Sequence, residues 1–397
     1  MYLSRRLKAV KPSATIALNN KAKALAAKGV DVVSFAAGEP DFDTPQFIKD
    51  AAVSALQAGF TKYTASAGIP ALREAISQKL LRENQLSYAP EQVLVSCGAK
   101  HSLFNLFQAL LSEGDEVIVF APYWVSYPDM VRLADGTPVI LETSEEDGYA
   151  PDPKELRNAL SSRTRAVIIN SPGNPTGAVL KPAALLKMAD VLRGHDCLII
   201  TDDIYEKLMY VPGPFQNLAN VAPDLASRTV VVNGFSKAFS MTGWRLGYAA
   251  GPRDLIAGMQ TIQDQSTSGT TSFAQKGAVA ALNGPLDEVA QMVAEFKARR
   301  DLFVEGLNAI DGIRCRAPEG AFYLFPNVEK LIGRKFKGHP VTGSVHLSEI
   351  LLDEFKVAAV PGLPFGAEGY LRLSFATSRR EIERGLVRIR ELVASLS

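Results

Sequence analysis

The feature that most constrains this chain is a series of six short β-rich runs between residues 92 and 250. They are Gln92-Val93-Leu94-Val95-Ser96, Glu116-Val117-Ile118-Val119-Phe120, Ala166-Val167-Ile168-Ile169-Asn170, Cys197-Leu198-Ile199-Ile200-Thr201, Thr229-Val230-Val231-Val232-Asn233 and Leu246-Gly247-Tyr248-Ala249-Ala250. Most are continuously apolar rather than alternating, which is the pattern of strands buried on both faces. Helical patterns such as Lys100 to Leu111 and Pro182 to Arg193 lie between several of them. Together these predict an α/β domain with a mostly parallel sheet between helices. Ligands of such sheets gather at the carboxyl ends of the strands. The notable polar residues fall there: Gly98-Ala99-Lys100 after the first run, Asn174 after the third, Asp202 after the fourth and Lys237 after the fifth.

Beyond about residue 290 the texture changes. A charged helical stretch, Glu288 to Asn308, leads to strand signals around Ala321 to Pro326, Val357 to Pro361 and Tyr370 to Phe375, and a terminal helix follows from Arg379. This predicts a smaller α+β domain formed by residues 1–45 and 290–397, beside a large domain at 46–289. A length of 397 residues suits two domains. The net charge of +1 and the shortness of the basic runs, such as Lys297-Ala298-Arg299-Arg300, argue against a nucleic-acid footprint. No apolar run approaches the ~20 residues needed to span a bilayer. The basic segment Met1 to Val10 is not followed by the apolar stretch of a signal peptide. Cys97, Cys197 and Cys315 are odd in number, unpaired in spacing and set in apolar stretches, so they read as buried, reduced thiols. A cytoplasmic protein without nucleic-acid or membrane partners is expected.

Several chemistries of α/β proteins are excluded. No two glycines stand one residue apart, so there is no G-x-G dinucleotide fingerprint. There is no G-K-[ST] loop, no G-x-S-x-G elbow and no H-E-x-x-H. His101, His195, His339 and His346 are scattered, and no metal site is expected.

The strongest segment runs from Gly234 to Gly247: Gly234-Phe235-Ser236-Lys237-Ala238-Phe239-Ser240-Met241-Thr242-Gly243-Trp244-Arg245-Leu246-Gly247. A loop lysine is ordinarily a solvated surface charge. Lys237, however, follows an apolar strand directly and has small neighbours that would admit a flat ring. Desolvation there would lower the amine pKa towards neutrality, as a lysine that attacks a carbonyl requires. Arg245, just before the next apolar strand, has the planar fork that suits a phosphate.

These residues match the lysine-attachment signature of class I aminotransferases, the fold-type I pyridoxal-phosphate enzymes. The resemblance extends over nearly the whole chain through Ala37-Gly38-Glu39-Pro40-Asp41-Phe42, Lys62-Tyr63, Gly68-Ile69-Pro70-Ala71-Leu72-Arg73, Tyr123-Trp124, Asn170-Ser171-Pro172-Gly173-Asn174-Pro175-Thr176-Gly177, Asp202-Asp203-Ile204-Tyr205 and Arg372-Leu373-Ser374. It implies a seven-stranded, mostly parallel sheet, pyridoxal 5′-phosphate on Lys237, and a homodimer with active sites at the subunit interface. By resemblance, Asp202 pairs with the pyridine nitrogen, Tyr205 and Asn174 bond the ring's 3-oxygen, and Trp124 stacks on the ring. The phosphate falls to Gly98, Ala99, Lys100, Ser236 and Arg245, with Tyr63 donated to the neighbouring subunit. Arg372, with Gly38, Asn174 and Trp124, lies on the substrate side, where Arg372 binds the α-carboxylate. Blander readings stand beside these: Asp202 as a helix cap, Asn174 as a turn residue, and Arg372 as a surface strand arginine.

The sequence departs from many relatives in having Gly234 where they have a phosphate-binding serine, so Ser236 or Ser240 is expected to compensate. One branch of aspartate aminotransferases takes the distal carboxylate on a partner arginine, but the corresponding stretch here, Asp264 to Ser272, contains no cation. The chain is more similar to a largely bacterial branch in which residues matching Ser13, Thr15 and Lys100 recognise that carboxylate, which implies aspartate and 2-oxoglutarate as substrates. Lys11 matches a position linked to prephenate, leaving prephenate or aromatic substrates as alternatives; an exposed Lys11 without a role is the other reading. By the same resemblance, alanine aminotransferases, C–S lyases and cyclopropane-carboxylate synthases share this fold and lysine. A non-catalytic regulatory domain of the kind fused to DNA-binding modules is a further alternative, and the filled catalytic positions argue against it.

Overall fold

A computed structural model describes the chain except for Met1, Leu3, Arg5, Lys11 and Ser13 and the side chains of Ala14 and Thr15. Seven strands form the main sheet: β1 (Val93–Ser96), β2 (Glu116–Ala121), β3 (Thr137–Glu142), β4 (Thr164–Asn170), β5 (Leu198–Asp202), β6 (Thr229–Gly234) and β7 (Gly247–Ala250). Their spatial order is β1-β7-β6-β5-β4-β2-β3. Strand β7 runs antiparallel to both its neighbours, while all other pairings are parallel. Six strands therefore end on the same side, and their carboxyl ends converge.

The apolar runs are explained by cover on both faces. On one face Val117, Val119, Ile168 and Ile200 pack with Leu103, Leu106 and Phe107 of helix α1 (Ala99–Leu110) and Met130 of α2 (Ser126–Leu133). On the other, Ile118, Val167, Ile169 and Ile199 meet Leu185, Met188 and Leu192 of α3 (Pro182–Leu192). Each fully buried aliphatic side chain contributes roughly 1.5–3 kcal/mol, so a strand with no polar face is held where both of its faces are covered, as β1 is even at one edge of the sheet. Strand β3 was not among the six runs. It lies at one edge of the sheet with none of its residues fully buried, and its Thr-Pro start and Glu end give it no continuous apolar signature.

The charged stretch near residue 290 is one helix, α4 (Asp287–Asn308), and the chain ends in α5 (Arg379–Ser395). Between them a three-stranded antiparallel sheet brings together β8 (Tyr323–Leu324), β9 (Val360–Pro361) and β10 (Leu371–Ser374), with β10 in the middle. The N-terminal strand Val33–Ser34 pairs in parallel with Val357–Ala358. Beyond that pairing the chain runs against β10, the Phe35 carbonyl accepting from the Ser374 N–H at 2.8 Å, and brings the Gly38 carbonyl to Lys237. Among the described residues no helix is long and apolar enough to cross a membrane.

Candidate active site

The strand ends deliver the site. Asp202 is the last residue of β5, Asn170 the last of β4, and Lys237 follows β6 by three residues. Asn170 ties its neighbours together: its Nδ2 donates to the Asp202 carbonyl at 2.8 Å and its Oδ1 accepts from the Asn174 N–H at 2.9 Å. The turn role of Asn174 and a ligand-facing side chain therefore coexist, because the backbone makes the turn and Oδ1 accepts from Arg372 at 3.2 Å.

Lys237 donates through Nζ to the Gly38 carbonyl and lies 5.7 Å from the Phe322 ring centre. Burial pushes its amine down to about 8; Glu39 opposes this, and Arg372 and Arg245 add to it. An amine in that range is partly uncharged near neutral pH and hence nucleophilic. Asp202 is also buried, and burial raises its carboxyl to about 6, against a hydrogen bond donated by the Tyr127 hydroxyl. No helix follows Asp202, so the helix-cap reading falls; its Oδ1 accepts instead from the Ile204 N–H at 3.4 Å.

Arg372 is 2% exposed, which removes the surface-arginine reading. It donates to Asn174 and, at 2.9 Å, to the Ala36 carbonyl. Its guanidinium stacks 4.5 Å from the Tyr323 ring centre and 5.2 Å from that of Phe365. Among the described residues its Nε has no partner, an expensive state for a buried charged group unless something else supplies the acceptor.

The first turn of α1 makes a second focus of positive potential. Gly98 precedes it with φ +86°, and a Cβ there would lie 2.6 Å from Arg245 Nη2. A Cβ on Gly247 would lie 2.2 Å from the Ala99 nitrogen. Glycine at both positions lets the helix start sit directly on β7 beside Arg245. The N–H groups of Ala99 and Lys100 have no acceptor within the helix. With the helix dipole they make a natural anion site. Arg245 is held by the carbonyls of Thr242 and Cys97 at 2.9 and 3.3 Å. Lys100 Nζ lies 4.9 Å from the Trp124 ring centre, and desolvation, then Arg245, lowers its pKa.

A cavity of about 250 Å³ joins these groups. Of the sequence-predicted residues, Gly38, Ala99, Lys100, Trp124, Asn174, Asp202, Tyr205, Ser236, Lys237, Arg245 and Arg372 line it. Gly98 sits just behind, against Arg245, and Tyr63 is fully exposed and away from it. Ser13 and Lys11 lie outside the described residues, as does the Thr15 side chain. Ser236 faces the cavity, whereas Ser240 donates to Met292 Sδ at 3.4 Å. A side chain at 234 would be crowded, with a Cβ 3.0 Å from the Leu246 carbonyl oxygen.

Four lining residues were given no site role by the sequence reading: Asn170 and Ile204, quoted there only within motifs, and Tyr127 and Tyr323, which escaped it altogether. Tyr127 begins a helix and Tyr323 lies in a short strand, and in both contexts a tyrosine reads as core. Cys97 is half-buried rather than buried, because it sits on the turn between β1 and α1; Cys197 and Cys315 are buried as expected. His101 and His195 accept backbone N–H groups of Cys97 and Cys197, a structural role.

The family described as aminotransferase class I and II matches residues 30–389. The chain belongs to that family. Among its relatives, a probable aspartate/prephenate aminotransferase of Rickettsia bellii is 48% identical over 396 residues, spanning 99% of each chain. An aspartate aminotransferase of Geobacillus stearothermophilus is 47% identical over 98% of each. Among solved structures, the aspartate aminotransferase from Rhizobium meliloti superposes with a TM-score of 0.96 at 42% identity, covering 100% of both chains. That of Thermus thermophilus with maleate gives 0.93 at 45% identity, over 99% of this chain and 100% of that one. The seven-stranded α/β architecture expected from the sequence is thus the fold of this aminotransferase.

Proposed function

We propose that this aminotransferase carries pyridoxal 5′-phosphate on Lys237 and moves the amino group of L-aspartate reversibly to 2-oxoglutarate, giving oxaloacetate and L-glutamate. The observation that carries the reading is charge. Lys100, Lys237, Arg245 and Arg372 line the cavity against a single carboxylate, Asp202. Among the described residues none of the four cations has a carboxylate partner within ion-pair distance. Such an arrangement calls for a ligand with several anionic groups.

The residues fit the cofactor. Arg245 and the first-turn N–H groups of Ala99 and Lys100 would hold its phosphate beside Ser236 and Gly98. Asp202 would hold the ring nitrogen protonated, Tyr205 and Asn174 would bond its 3-oxygen, and Trp124 would cover the ring. When bound, the cofactor supplies an electron sink for the carbanion at the substrate Cα. Arg372, with an unpartnered Nε, would take the α-carboxylate bidentately. The freed Lys237 amine, lowered to about 8, would take the proton from the substrate Cα and deliver it to the carbon on the far side of the substrate nitrogen. Lys100, at the far wall, would hold the second carboxylate with Ser13 and Thr15. Maleate, the dicarboxylate in the Thermus thermophilus structure, supports that assignment.

Full exposure of Tyr63 supports its use by a partner, and hence a homodimer with shared sites. The pairing of Val33–Ser34 with Val357–Ala358 supports treating 1–45 and 290–397 as one unit beside 46–289. Three free thiols support a cytoplasmic setting. Prephenate as a further acceptor is a second reading, favoured by the relatives named for both activities.

The test is a transfer assay with L-aspartate, L-alanine and L-tyrosine as donors. Aspartate should be preferred, and Lys100→Ala should raise its KM by roughly 10–100-fold, the worth of one charged hydrogen bond, with alanine little affected. Preference for alanine or tyrosine in the parent protein would overturn the substrate assignment.

A further inference from the structure

Tyr323 stands where the two recognition ends of the cavity meet. Strand β8 places it opposite Ser374 on β10, the strand that carries Arg372. Its side chain is 1% exposed. Its hydroxyl lies 2.9 Å from the Tyr205 hydroxyl, and either oxygen can donate. The two rings meet edge to face, with centres 5.8 Å apart at 83°. The opposite side of the residue does different work: its ring face lies 4.5 Å from the Arg372 guanidinium carbon. The hydroxyl also abuts Gly38, where a Cβ would come within 2.9 Å of it, and the Gly38 carbonyl receives Lys237. One side chain thus touches the groups assigned to the cofactor's ring oxygen, the substrate's carboxylate and the backbone beneath the lysine.

We propose that Tyr323 is a positioning residue with two separable parts: its hydroxyl orients and polarises Tyr205 for the cofactor's ring oxygen, while its ring face holds Arg372 for the substrate carboxylate. This rests on the cofactor reading given above. The chemistry follows from hydrogen-bond sharing. A Tyr205 that donates to the ring oxygen must accept at its own oxygen, and Tyr323 is the donor in place. A bond accepted there strengthens the bond Tyr205 donates, because chained hydrogen bonds polarise one another. Electron density drawn from the ring oxygen loosens the proton on the Lys237 nitrogen joined to the cofactor. The ring contributes separately: a guanidinium stacked on an aromatic face is fixed in orientation without any acceptor atom being used. That leaves Nε available, in keeping with its lack of a partner.

The experiment compares the cofactor-loaded parent protein with Tyr323→Phe, Tyr323→Leu and Tyr205→Phe. Two quantities are read: the pH midpoint of the cofactor's visible absorbance change, and the Kd of maleate, a dicarboxylate with no amino group, from its effect on that absorbance. Tyr205→Phe should raise the midpoint. Tyr323→Phe should raise it in the same direction by a smaller amount, up to about one pH unit, and leave the maleate Kd within about twofold. Tyr323→Leu should raise the midpoint likewise and weaken maleate by about tenfold. A midpoint moved by Tyr205→Phe but not by Tyr323→Phe would overturn the hydroxyl's role. Equal maleate affinity in Tyr323→Phe and Tyr323→Leu would overturn the ring's. A parent protein without a cofactor band, or a midpoint indifferent to Tyr205→Phe, would instead remove the cofactor reading, and the proposal with it.

Discussion

Asp202 and Asp203 are neighbours at the end of one strand, both buried, and they open onto different chemistries. Asp202 faces the cavity, whose lining also carries four cations. Asp203 faces the other way, accepting from Asn217 Nδ2 at 2.7 Å, and burial raises its pKa well above the usual carboxylate range. Beside it lies a closed polar cluster. Lys79 pairs with Glu206 and donates to Asn84 Oδ1 at 2.7 Å, and Asn84 donates to Glu206 Oε2 at 2.7 Å. Glu83 lies 3.9 Å from Lys79 and pairs with Lys207. Lys79 and Lys207, with Arg82 also on Glu83, meet Glu206 and Glu83 there, and none of their buried side-chain atoms is left without a hydrogen-bond partner. In the cavity the cations outnumber the carboxylate and Arg372 Nε is left over. Buried charge that is balanced is architecture; buried charge left unbalanced is a place for a ligand.

This contrast can be broken at either side. The largest effect on stability is expected behind the strand. Lys79→Ala strands the buried Glu206 carboxylate and should cost about 3–5 kcal/mol in urea unfolding. The folded variant should keep the parent's KM for aspartate. A variant as stable as the parent, or one whose KM rises tenfold, would mean the cluster is not the closed structural unit described. Replacing the pair together, Lys79→Met with Glu206→Leu, should recover part of the loss, because no charge is then left unpaired although the buried Asn84 amide loses both its partners.

A smaller effect is expected on the cavity side. Burial lowers Lys237 from 10.5 to about 8, so between those values the cofactor-free folded protein binds fewer protons than the unfolded chain. Stability contributed through Lys237 should therefore rise with pH across that window, and be lowest below pH 8 where the buried amine is charged. Relative to Lys237→Met, the cofactor-free parent should gain on the order of 1 kcal/mol between pH 7.5 and 9.5. Equal pH dependence in the two proteins would show that the amine is not desolvated.

Much of this was legible in the sequence because the same physics wrote both patterns. Strands enclosed on two faces must be apolar throughout, so β2, β4, β5 and β6 stood out, and the polar residues that interrupt such runs at their ends had to be explained. Lys237, Asp202 and Asn174 were found in that way. Strand β3 was missed because none of its residues is fully buried, Thr137, Ile140 and Glu142 being exposed, whereas β1 at the other edge is covered throughout and was found. Tyr127 and Tyr323 were missed for a different reason: a tyrosine's role lies in where its hydroxyl goes. The bonds to Asp202 and Tyr205 join residues 75 and 118 positions apart in the chain. No local spacing encodes those contacts. The imbalance of charge was likewise hidden, since Arg372 and Lys100 come from opposite ends of the chain and meet only in the fold.

The most direct measurement is the absorbance spectrum of the protein supplied with pyridoxal phosphate, recorded before and after L-aspartate is added without any keto acid. A band near the boundary of the visible and violet should appear and then give way to one at shorter wavelength, and Lys237→Ala should fail to make that conversion. No band in the parent protein, or normal conversion by Lys237→Ala, would contradict the account at its centre.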